Sequence, residues 1–199
     1  LVPGLGILAP LNPEEPIDPF ALNLFAVKPE RAASLAERGL LFDNTEDRID
    51  IDFSPQHKWQ ACMEQFAHWV TTGSSFASVS QTVEESLNCY FYAMDEEITP
   101  VYRYFALRHA TDSMWALVLE QPTPENLSTA ARLTCALGLR ANAVALLRHL
   151  ITLLNTGVSP ALSNPALPCW PRFDTVAPRG NGHDWLLAAA LEAYEIQRA

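Results

Sequence analysis

The segment Thr123–Gly157, TPENLSTAARLTCALGLRANAVALLRHLITLLNTG, constrains this chain more than any other. Thr123 before Pro124 is a helix start, because threonine is a favoured N-cap and proline at the first helical position sacrifices no hydrogen bond and presets φ. Leu127, Ala130, Ala131, Leu133 and Leu137 supply the apolar side of this helix, with alanines small enough for close approach. Gly138 offers the permissive backbone needed to leave one helix and enter the next. Beyond it, Ala143, Val144, Leu146, Leu147, Leu150, Ile151, Leu153 and Leu154 wrap most of a second helix and leave a polar seam of Asn142, His149 and Thr152. A helix apolar nearly all round must be covered on two sides, which predicts an inner position for 140–156 in a stack or bundle.

Prolines organise the rest. They crowd residues 1–29 and 160–178, whereas 56–99 and 125–159 have none. Ser54-Pro55 and Thr99-Pro100 repeat the start signal of Thr123-Pro124. The pattern predicts helices at about 55–72, 76–94, 100–120, 124–137, 140–156 and 183–198, with a shorter one near 29–38. Trp59, Met63, Phe66 and Val70 fall at one-face spacing on the first of these, a core stripe. Ile49-Asp50-Ile51-Asp52-Phe53 alternates apolar and acidic, and with Leu40-Leu41-Phe42 before it suits a small hairpin near 40–53. The expected architecture is all-α: one domain over 1–199, an antiparallel helical bundle or short helical stack. A Pro-rich extended arm (1–29) precedes a helical core (55–157), and a long loop (158–182) precedes a C-terminal helix (183–198). Asp18–Ala26 and Leu167–Phe173 are too apolar to float free, and Trp170 and Phe173 are the expected anchors of the loop.

With 199 residues, 49% of them hydrophobic, the chain can bury a substantial core. It has no apolar run of the ~18 residues a membrane span needs, so a soluble, cytoplasmic protein is expected. Leu1-Val2-Pro3-Gly4 has no basic n-region or apolar h-region and reads as the start of a processed or excised piece. Cys62, Cys89, Cys135 and Cys169 form no CxxC pair and read as free thiols of a reducing compartment. The net charge of −10 is concentrated between Asp43 and Glu97, where eleven acids face Arg48 and Lys58. An acidic body without a basic stripe excludes a nucleic-acid footprint, and the block reads as a solvated face.

The helix pair resembles one tetratricopeptide repeat. Ala131, Gly138, Ala143 and Leu147 stand where that family places its helix-A small residue, turn glycine, helix-B alanine and helix-B large apolar residue. Leu127, Thr134 and Asn155 replace the family's tryptophan, tyrosine and proline, and no second copy occurs at that period. The resemblance implies a protein or peptide partner, with Glu125, Ser128 and Arg132 facing a groove. Arg132, whose planar fork grips carboxylates bidentately, would be the anchor; Arg132→Ala is expected to weaken binding without much change in melting temperature. Arg103 and Tyr104, from the aromatic and basic run 101–109, would border that groove. The stretches DPFALNLFA and CWPRFDTVAP…HDWLLAAALEAYE resemble accessory regions of larger bacterial enzymes that methylate or glycosylate polysaccharides.

Signs of catalysis are sparse. Gly4-Leu5-Gly6-Ile7-Leu8-Ala9 spells the loose dinucleotide loop but follows no strand and runs into Pro10. Glu64 with His68 at i, i+4, and His109 with Asp112 at i, i+3, have metal-ligand spacing, yet the paired Glu-x-x-His of di-iron bundles is missing. Asn126-Leu127-Ser128 is formally a sequon within a helix first turn. The function expected is therefore a non-catalytic helical interaction or accessory domain, part of a larger bacterial protein, without cofactor or metal. The alternatives are a helical metal-dependent enzyme using Glu64, His68 and His109, and an accessory region of a methyltransferase or glycosyltransferase.

Overall fold

The computed structural model describes residues 1–11, 26–41, 57–68 and 79–199. The chain is all-α: α1 (Pro29–Glu37), α2 (Trp59–Met63), α3 (Gln81–Met94), α4 (Pro100–Glu120), α5 (Pro124–Leu137), α6 (Arg140–Asn155) and α7 (His183–Arg198), with a 3-10 turn at Pro171–Thr175. From α2 on, each helix packs against the next in sequence, and α5 also touches α7. Short connections force neighbours to reverse direction. The α6–α7 pair is antiparallel too, across the long loop: Arg140, at the start of α6, donates to the Gln197 carbonyl at 3.2 and 2.8 Å, while His183, at the start of α7, lies 2.9 Å from the Leu154 carbonyl near the end of α6.

Local signals explain the ends. The Ser80 hydroxyl accepts from the Val83 amide and Thr123 from the Asn126 amide, each at 3.3 Å. Helix α4 starts at Pro100 as read, although the Thr99 hydroxyl makes no cap bond. Helix α5 ends in a Schellman motif, with Gly138 left-handed at φ 87° and the Gly138 and Leu139 amides returning to Cys135 and Thr134.

Two expectations change. The single helix over 55–72 is interrupted, since α2 stops at Met63 and Phe66 is non-helical; nothing in the side chains accounts for the break. Trp59, Met63 and Phe66 are buried all the same, while Val70 lies outside the described residues. The inner helix is α5, not α6. Helix α6 exposes Asn142, Ala145, Arg148 and His149, whereas α5 leaves only Asn126 and Ala136 short of full burial. Periodicity missed this because α5 carries polar residues on faces that the chain itself later covers. The hairpin at 40–53 lies almost wholly outside the described residues, as does most of Asp18–Ala26; Leu41 forms a parallel bridge to Leu8.

The first residues belong to the core. Val2 pairs with Ile7 around a tight turn, and Val2, Leu5 and Ile7 are buried. The Gly4 amide donates to the Ala136 carbonyl at 2.8 Å. A Cβ on Gly4 would stand 2.6 Å from that of Ala136, so only glycine allows this approach.

Candidate functional site

Along α5, Glu125, Ser128, Thr129 and Arg132 follow the i, i+3, i+4, i+7 spacing of one helix face. The resemblance implied that Glu125, Ser128 and Arg132 face an open groove; in the structure that face is covered by the chain's own loop. The Ala161 amide donates to Glu125 Oε1. Ser128 Oγ donates to the Leu167 carbonyl at 2.7 Å, and the Leu167 amide donates to Thr129 Oγ1 at 3.0 Å. Arg132 Nη1 reaches the Pro168 carbonyl at 3.1 Å, and the guanidinium grips Asp174 at two points, 3.1 and 2.8 Å. Four side chains of one helix thus hold the loop over 161–174, mainly by its backbone.

Burial follows. Glu125, Ser128 and Arg132 are 7%, 1% and 6% exposed. Their polar atoms tolerate this because each has found a partner. Leu167 and Cys169 plug the groove, and Phe173 is buried as its anchor role required, while Trp170 is only half-buried. Tyr90 of α3 lies under the Arg132 guanidinium, 5.8 Å from ring centroid to Cζ, so α3, α5 and the loop meet at one cation. Burial raises the Asp174 carboxyl above its ordinary value even with Arg132 beside it. The pair therefore fixes where the loop lies more than it adds net stability.

Arg103 is buried too, and its Nε donates to the Ala93 carbonyl at 2.7 Å, capping the end of α3. Tyr104 is half-buried against the core with its ring edge-on to Phe105. The Arg103 bond joins α4 to α3, and the Tyr104 ring meets its neighbour on α4.

The other candidates are dispersed. The break after α2 undoes the helical i, i+4 relation of Glu64 and His68: Glu64 is exposed and His68 is 2% exposed, with Nε2 3.0 Å from the Ala166 carbonyl. Burial pushes His68 down to about 4, which keeps the ring neutral. His109 is exposed and Asp112 pairs with Arg108 at 3.1 Å. Among the described residues, no three His, Cys, Asp or Glu side chains gather as a metal site. Cys89, Cys135 and Cys169 are free thiols that burial pushes up to about 12, far from nucleophilic. A cavity under the loop, between His68, Glu125, Leu162 and Trp185, has room for about one water. Among the described residues, no helix is long and apolar enough to cross a membrane.

Sequence reasoning missed Thr129 and Asp174. Thr129 sits beside Ser128 on the same stripe, and Asp174 is the acid nearest the buried anchor Phe173, so both signals were present once the loop was known to return to α5. The comparisons find no matching family model, no matching curated protein and no matching solved structure.

Proposed function

We propose that this chain is a non-catalytic helical interaction domain whose α5 groove is adapted to hold a polypeptide loop by its backbone, a place taken in the free chain by its own residues 161–174. The observation behind this reading is the set of backbone-directed bonds from Glu125, Ser128, Thr129 and Arg132, which grip the loop largely irrespective of its side chains. One element asks for a particular residue: the Arg132 fork, which takes a carboxylate. A partner suited to the groove is a segment with a buried aliphatic residue followed some residues later by an acid. The reduced thiols suit a cytoplasmic setting.

The test supplies the segment in trans. A fluorescent peptide with the sequence of residues 158–176 is titrated into the native chain and into Asp174→Asn, which loosens the resident loop without touching the groove. Binding to Asp174→Asn that exceeds binding to the native chain, and that Arg132→Met abolishes, supports the reading. No binding to either chain would make the groove a purely internal joint and overturn it.

A further inference from the structure

The loop that fills the groove leaves α6 at Thr156 and ends at Gly182, and its two ends are joined by one imidazole. His183 Nε2 lies 2.9 Å from the Leu154 carbonyl of α6, and Nδ1 lies 3.0 Å from Asp184 Oδ1. The ring also sits where the chain enters α7, with its own amide donating to Asn181 Oδ1 at 3.1 Å.

Both partners of the ring, a carbonyl and a carboxylate, are acceptors only. A neutral imidazole has one N–H, so it can bond to one of them and must turn a lone pair on the other. The imidazolium bonds to both. Its charge also faces the C-terminal turn of α6, where unpaired carbonyls favour a cation. The same charge opposes the N-terminus of α7, an effect that Asp184 in the first turn offsets. On the loop side Asn181 and Gly182 are neutral, and α6 presents the Leu154 backbone; Asp184 is the charged side chain against the ring.

We propose that His183 is a proton-operated clasp on the loop that fills the α5 groove: protonated, it closes the loop at its base, and deprotonated, it loosens it. Hydrogen bonding to Leu154 and Asp184 raises the ring above its ordinary value of 6.5, in agreement with the geometry. A raised value in the closed form means that the clasp is fully closed below 6.5 and is lost as pH rises through the raised value. The window therefore opens upward from 6.5. The inference concerns the resident loop alone and stands whether or not an outside peptide ever enters the groove.

Two measurements on the full chain decide it. NMR titration of the His183 ring should give a midpoint above 6.5 that falls in Asp184→Asn, where one acceptor is weakened. Hydrogen exchange of residues 158–182, corrected for its intrinsic pH dependence, should show opening that grows as pH rises above 6.5, by at most about tenfold per pH unit. In His183→Gln that growth should vanish. A midpoint at or below 6.5, or the same pH response in His183→Gln, overturns the clasp and leaves the peptide experiment untouched.

Discussion

Arg132 on α5 and Asp174 in the loop before α7, 42 residues apart, meet through two hydrogen bonds of 3.1 and 2.8 Å, with the same guanidinium holding the Pro168 carbonyl. Removing the arginine leaves a half-buried carboxylate and a buried carbonyl without their donor. Arg132→Ala should therefore cost about 3 kcal/mol, and the expectation of an unchanged melting temperature does not fit this geometry. The double variant Arg132→Met with Asp174→Leu should lose less than Arg132→Met alone, because it removes both charges. Urea unfolding of the three proteins checks the order.

Leu147 on α6 is fully buried in the core. Leu147→Ala should cost about 2–5 kcal/mol by opening a cavity in a packed core. Chemical denaturation measures it, and a loss below about 1 kcal/mol would mean the site collapses freely.

Gly4→Ala places a methyl group 2.6 Å from the Ala136 Cβ and 2.9 Å from its Cα. The turn over residues 3–6 must lift, breaking the Gly4–Ala136 hydrogen bond, while α3 to α7 keep their contacts. The variant should lose about 1–3 kcal/mol. Limited proteolysis should then trim the first residues faster than in the native chain, with the helical circular dichroism signal retained.

His68 makes the chain acid-sensitive. Its value in the fold is lowered to about 4 from 6.5, so its contribution is present above 6.5 and is lost as pH falls towards 4. The unfolding free energy should drop over that window by up to about 3 kcal/mol, and His68→Phe should flatten the slope. Denaturant titrations at successive pH values check this. His183, whose value is raised by its hydrogen bonds, works in the opposite sense, losing its contribution as pH rises above 6.5.

Much of the fold was legible from residue order. Proline at N1 marked the starts of α4 and α5, and Gly138 marked the joint after α5, because these signals act within one turn of chain. Glu125, Ser128 and Arg132 were singled out only through the resemblance to a helical repeat, and they bind the chain's own loop. That occupant was not legible: Ser128 and Leu167 are 39 residues apart, and no local pattern records that a loop returns. For Glu64 and His68, i, i+4 spacing means proximity only while the helix continues, and it ends at Met63.

The near-complete burial of α5 sets a limit on how this architecture can grow. An array of helical repeats lengthens because every unit leaves one flank open to receive the next. Here α4 and α6 pack against α5, the returning loop covers a further face, and the Val2–Ile7 turn closes its C-terminal end at Ala136. Helix α5 is a spindle on which α4, α6, the loop and the first turn are wound, so a further helical unit inserted beside it would have to displace one of them.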